Sequence, residues 1–161
     1  MNQQNKTYII SEDYVLTVIL RKILKSSLYR PAIYSLHSFS DVKSIKSGEV
    51  IDLILLDDLL SGAASHEVVN TLRLEKKVKC PIYYLSNSES KEEKKALYRG
   101  ANYLFKKPFK PEDLVQHIMT NTNLPMSKSI TTEKEIINSI LLQQQTNHNT
   151  NVQKDIYSID N

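Results

Sequence analysis

The sequence predicts an α/β fold, a compact three-layer domain built around a parallel sheet. Two observations carry this. Short apolar runs alternate five times with helix-period segments over about 115 residues, and the connections are long enough for helical crossovers and too short for anything larger. Several of the apolar runs also end in polar groups. Ile51-Asp52-Leu53-Ile54-Leu55-Leu56 runs into Asp57-Asp58, Ile9-Ile10 into Ser11-Glu12-Asp13, and Tyr83-Tyr84-Leu85 into Ser86. Strands that deliver polar side chains from their carboxyl ends into one crevice are how open parallel sheets build sites.

Each element follows from local pattern. Tyr8 to Ile10 reads as a first strand. From Val15 the period becomes helical, with Leu16, Ile19, Leu20, Ile23 and Leu24 on one face and Arg21, Lys22 and Lys25 opposite. Pro31 breaks the chain before a second strand, Ala32 to Leu36. Ser40 can cap a short helix over Asp41 to Ser47, which Gly48 ends. Val50 to Leu56 is the third strand, continuously apolar after Asp52, as a strand covered on both faces should be. Ser65 can cap a helix carrying Val68, Val69 and Leu72, with Lys76 and Lys77 in its last turn. Ile82 to Leu85 is the fourth strand. Ser88 or Ser90 caps the next helix, and Gly100 stops it at a position suited to left-handed backbone. Tyr103 to Lys106 is the fifth strand. Pro111 falls near N1 of a last helix, with Glu112 and Asp113 in its first turn and Leu114, Val115 and Ile118 on its apolar face.

After Asn121 the composition shifts. Residues 130–145 fit an amphipathic helix with Ile136, Ile137, Ile140 and Leu141 inward. A polar Gln, Asn and Thr tail follows, which reads as disordered. The expected organisation is one domain over 6–122 and an appendage over 123–161.

Composition excludes several classes. The 161 residues carry 21 basic and 18 acidic side chains, a net charge of +3, without the dense basic stripe of a nucleic-acid binder. The single cysteine, Cys80, excludes an internal disulfide and reads as a buried, inert thiol. No apolar run approaches transmembrane length, and the polar N-terminus lacks a signal-peptide core, so the expected location is the cytosol.

In a parallel sheet the carboxyl ends of strands one, three, four and five face the same way. Glu12, Asp13, Asp57, Asp58, Ser86, Asn87, Lys106 and Lys107 therefore gather at one edge. Carboxylates that close repel one another. A hard divalent cation such as Mg²⁺ makes them tolerable, and with a lysine and a hydroxyl beside it such a site suits phosphoryl chemistry.

At these residues the chain resembles the receiver domain of bacterial two-component response regulators. The resemblance spans residues 6–121. It rests on Ile10-Ser11-Glu12-Asp13, Asp52 to Asp57, Pro81 to Ser86, and Gly100-Ala101 through Lys107-Pro108-Phe109, four motifs in order, each at a strand end. It implies a flavodoxin-like (βα)5 three-layer sandwich with parallel sheet order 2-1-3-4-5, helices one and five on one face and two, three and four on the other. It implies that Asp57 accepts a phosphoryl group from a histidine kinase or phosphotransfer protein, and that Lys107, after a cis bond to Pro108, and Ser86 contact that group. Mg²⁺ would be held by Glu12, Asp13, Asp57 and the backbone carbonyl of Leu59. No enzyme activity is expected beyond Mg²⁺-dependent self-phosphorylation from phosphodonors and autodephosphorylation. Signalling would run through a downstream protein partner or a homodimer formed by the helix 4, strand 5 and helix 5 face, with neither nucleic acid nor membrane as partner. Residues 130–142 resemble the opening helix of a helix-turn-helix module, but the glycine and basic recognition helix expected downstream are absent.

The match is uneven. Counted by strand length, Glu12 and Asp13 form the acid pair; counted by the helical stripe, Ser11 and Glu12 take those positions. Ser61 stands where the family commonly has proline, Asn87 where it has a small residue, and Leu104 where it often has an aromatic switch. Tyr103 is one place off and should point the other way. Asp58 is expected to face solvent or helix contacts. The alternative function is an atypical receiver-like interaction module that does not depend on phosphorylation.

Overall fold

The computed structural model describes residues 5–27, 30–87 and 91–122. Five strands, β1 (Lys6–Ile10), β2 (Ala32–Leu36), β3 (Leu53–Asp57), β4 (Ile82–Ser86) and β5 (Tyr103–Lys106), alternate with five helices, α1 (Tyr14–Ser26), α2 (Phe39–Ser44), α3 (Ser65–Asn70), α4 (Lys91–Tyr98) and α5 (Pro111–Asn121). All pairings are parallel, and the order is β2-β1-β3-β4-β5. The flavodoxin-like architecture expected from the sequence is the one observed.

Alternation along the central strands sorts side chains into two cores. On one face Ile10, Ile54, Leu56, Ile82 and Tyr84 pack with Val42 of α2, Val68 and Val69 of α3 and Ala96 of α4. On the other, Ile9, Leu53, Leu55, Tyr83 and Leu85 pack with Leu20 and Leu24 of α1 and Leu114 and Ile118 of α5. All five residues of β3 are buried. Each fully buried Leu or Ile contributes about 1.5–3 kcal/mol, so β3 is the anchor that fixes where its last residue, Asp57, emerges. Tyr103 and Leu104 join opposite cores, as alternation requires.

Several local expectations are corrected. The third strand begins at Leu53, not Val50. Asp52 bonds to both backbone groups of Lys6, its own N–H donating to the carbonyl at 2.9 Å and its Oδ2 accepting from the N–H at 2.6 Å. The α2 cap is Ser38, not Ser40. Ser38 Oγ accepts from Asp41 N–H, and Asp41 accepts in return from Ser38 N–H, a capping box. Ser65 does not cap α3. It lies in the first turn and donates from Oγ to the Asp58 carbonyl at 3.0 Å. The helix then widens into a π-helical turn over Thr71–Glu75 instead of ending on Lys76 and Lys77. Ile19 of α1 is 41% exposed, and Thr17 takes the inward place beside Leu20 and Leu24.

Other expectations hold. Ala32–Leu36, Tyr103–Lys106 and α5 with Pro111 at N1 are as read. Gly100 has φ +111°, a region side chains rarely adopt. Cys80 is buried, and burial pushes its thiol up to about 12. The caps expected at Ser88 or Ser90, and the appendage over 123–161, lie outside the described residues.

Candidate functional site

The carboxyl ends of β1, β3, β4 and β5 converge as predicted. Asp57 closes β3 and is fully buried at 0% exposure. One carboxylate oxygen receives the Lys107 ammonium in an ion pair. The other, Oδ2, accepts a 2.6 Å hydrogen bond from Ser11 Oγ. Lys107 follows β5; its N–H donates to the Ser86 carbonyl at 2.7 Å, and its bond to Pro108 is cis. Ser86 is buried at the end of β4. Lys106 is exposed, as alternation predicts.

Ser11, directly after β1, faces Asp57. Its N–H reaches the Leu36 carbonyl at 3.0 Å, and its Oγ also accepts from Asp13 N–H at 3.0 Å. Asp13 is turned away: its Oδ1 accepts from Leu16 N–H and caps α1. Glu12 lies between them, and its carboxylate accepts from the Ser61 hydroxyl. The geometry therefore follows the register in which Ser11 and Glu12 take the pair positions. The reason is local. An aspartate two residues ahead of the first apolar helix position is a strong N-cap, and its carboxylate is engaged there.

Asp58 departs from expectation. It does not face solvent. Its Oδ1 receives the Lys107 ammonium at 2.7 Å, and its Oδ2 accepts from the Asn87 backbone N–H at 2.7 Å. Ser61, which stands where the family commonly has proline, is held on both sides. Besides holding Glu12, its carbonyl accepts from Phe39 N–H at 3.1 Å, tying the loop after β3 to the start of α2.

Two carboxylates share one ammonium, and their environments separate them. Burial pushes the Asp57 carboxyl above its ordinary 3.8, against the pull of Lys107 and Ser11. Burial also opposes ionisation of Asp58, but the Lys107 ammonium and the Asn87 N–H outweigh it and hold that carboxyl below its ordinary value. Lys107 is desolvated too, yet the two acids hold it above its usual range.

The donor set fits a hard cation in kind. Mg²⁺ takes oxygen ligands, commonly one or two carboxylates, and keeps several waters. Asp57, Glu12 and the Leu59 carbonyl, which accepts a 3.3 Å bond from Glu12 N–H, are such donors. Among the described residues no three Asp, Glu, His or Cys side chains group as a ready-made metal cluster. The three-carboxylate cluster expected from the sequence is reduced, because Ser11 stands in one place and Asp13 is spent as a cap.

Sequence reasoning placed Asp58 at this edge but not its bonds to Lys107 and Asn87, and it missed Ser61 as part of the site. No spacing rule marks those roles, since both residues act through partners brought near by the fold.

The family model for response regulator receiver domains matches residues 8–119. No curated protein matches the chain. Among solved structures, a two-component response regulator from Clostridium difficile shares 23% identity over 74% of this chain and 99% of its own, with a TM-score of 0.64. A CheY-like receiver domain protein from Methanospirillum hungatei JF-1 shares 19% over 73% and 93%, at 0.63. The response regulator DrrB of Thermotoga maritima, an OmpR/PhoB homolog, shares 18% at 0.61; the match covers 73% of this chain but only 54% of that longer protein. These structural likenesses show the fold.

Proposed function

The chain belongs to the response regulator receiver domain family of two-component systems, and we propose that Asp57 is its phosphoacceptor, modified by a histidine kinase or phosphotransfer protein. One observation supports this above the others: a fully buried carboxylate at the end of the central strand, paired with Lys107 directly after β5. A carboxylate held at a sheet edge with an ammonium beside it is a nucleophile next to a charge that can follow the phosphoryl oxygens.

In the transfer, a carboxylate oxygen of Asp57 forms a bond to phosphorus as the P–N bond of a phosphohistidine breaks. The imidazole takes the electron pair and leaves neutral, keeping its ring proton. The product is an acyl phosphate. Lys107 faces its new charge, and Ser86 lies at the neighbouring strand end. Glu12, Asp57 and the Leu59 carbonyl would hold Mg²⁺, which supplies charge neutralisation at the phosphoryl oxygens. Asp13 serves α1 as its cap. An acyl phosphate exchanges one negative charge for about two, so the signal is carried by rearranged hydrogen bonds around Asn87 and the α4, β5 and α5 face. A downstream protein or a second copy of the chain reads that face, in the cytosol; among the described residues no helix is long and apolar enough to cross a membrane.

A second reading, an interaction module independent of phosphate, is favoured by Ser11 in place of an acid. Intact mass separates the two. Incubated with Mg²⁺ and phosphoramidate, the wild type should gain one phosphoryl group and Asp57→Asn none. A wild type that gains none and binds no beryllofluoride belongs to the second reading.

A further inference from the structure

Resting on the phosphoacceptor reading of Asp57, we propose that Asp58 is a tethered anion that holds Lys107 and the Asn87 backbone N–H in the unmodified protein and competes with the phosphoryl group for both. The argument starts from what those two donors face. Asp58 accepts from Lys107 Nζ at 2.7 Å through one oxygen and from Asn87 N–H at 2.7 Å through the other, and the Asn87 amide nitrogen approaches the first at 3.4 Å. The carboxylate therefore joins the lysine after β5 to the first backbone donor after β4.

Its backbone is pinned. Asp58 N–H donates to the Leu85 carbonyl at 2.9 Å, and its own carbonyl accepts from Ser65 Oγ at 3.0 Å. The side chain is only 16% exposed. It is held in place at the mouth of the site, not swept there by a mobile loop.

Phosphorylation changes the demand for donors. The Asp57 oxygen that forms the new bond ceases to be a free anion, and the phosphoryl oxygens need hydrogen-bond donors of their own. Lys107 already meets Asp57, and the Asn87 N–H lies directly after Ser86, beside it. Both are engaged by Asp58. The acidic pair and the lysine together carry one net negative charge; a phosphoryl group raises that to about two. Like charges sharing one donor set disfavour each other. Asp58 thus slows entry of an anionic phosphodonor and weakens the hold on the acyl phosphate. It also keeps the start of the β4–α4 connection in a bonded position before any signal arrives.

The test uses the full chain as wild type, Asp58→Asn, Asp58→Ser, and Asp57→Asn/Asp58→Asn. Phosphorylation by phosphoramidate with Mg²⁺ is followed by intact mass, and thermal melts check that each variant folds. Asp58→Asn and Asp58→Ser should gain the phosphoryl group at least about tenfold faster than wild type, and the double variant should gain none. In the wild type, the Asn87 amide resonance should move when beryllofluoride binds, a readout that does not depend on any variant folding. Adduct on the wild type at a rate equal to or above both single variants would overturn the competitor role and leave Asp57 as acceptor. An Asn87 resonance unmoved by bound beryllofluoride would do the same. No adduct on the wild type or either single variant would overturn both readings.

Discussion

Ser11 donates a 2.6 Å hydrogen bond to Oδ2 of the buried Asp57. A neutral hydroxyl thus stands where the family resemblance leads one to look for an acid. It gives a buried carboxylate oxygen a donor, and it lowers the local negative charge that a divalent cation would offset.

Ser11→Asp should make stability depend on Mg²⁺. Without the cation, two facing carboxylates repel and the melting temperature falls. With Mg²⁺ at about 100 times its dissociation constant the variant should gain about 2.7 kcal/mol. Melts with and without Mg²⁺ check this. The wild type should shift less; a variant indifferent to Mg²⁺ would place the cation elsewhere.

Asp13 and Glu12 should separate by function. Asp13→Ala removes the α1 cap and should cost about 1 kcal/mol in urea unfolding, while Asp13→Asn keeps it. Neither should alter the rate of Asp57 phosphorylation. Glu12→Ala should slow that rate and leave α1 intact.

Burial raises the Asp57 carboxyl, so the folded state binds its proton more tightly than the unfolded chain. The stability linked to that proton is full below the ordinary 3.8 and is lost as pH rises through the raised folded value. Asp57→Asn has no such loss and keeps acceptor and donor atoms for Ser11 and Lys107. Its melting temperature should therefore exceed that of the wild type at pH 7, and the gap should shrink as pH falls toward 3. A gap that widens on acidification would contradict the assignment.

Arg73, in the π-helical turn, is a clamp. Its guanidinium donates to the carbonyls of Gly100 (2.8 and 3.0 Å), Val78 (2.8 Å) and Cys80 (2.8 Å) and to Asn102 Oδ1 (2.7 Å). Arg73→Met should cost about 3 kcal/mol or more, because it strips charged hydrogen bonds from partly buried carbonyls. Gly100→Ala should cost about 1–3 kcal/mol, since its φ is +111° and an added Cβ meets Arg73 at 3.2 Å. Denaturant midpoints measure both.

Much of the fold is legible in the sequence because apolar runs are short, separate and uniform. Ala32 to Leu36 and Tyr103 to Lys106 have sharp edges, and Pro111 marks a helix start. Asp57, Ser86 and Lys107 are legible for a related reason: each lies at the end of such a run. What was misread depends on competition or on distance. Ser38 and Ser40 both lie at the start of α2, and Ser38 is the cap because its N3 residue is Asp41, which bonds back. Val50 is apolar, but Asp52 ties the next segment to Lys6 and the strand starts beyond it. Asp58 looks like a spare acid until β4 and β5 bring Asn87 and Lys107 to it.

The central claim, that the acceptor is residue 57, is tested most directly by reducing the phosphorylated wild type with borohydride, which converts an acyl-phosphate aspartate to homoserine, and sequencing the product by tandem mass spectrometry. The account predicts homoserine at position 57 and intact aspartate at position 58. Homoserine at 58, or at neither position in a protein that carries the phosphoryl group, would contradict it.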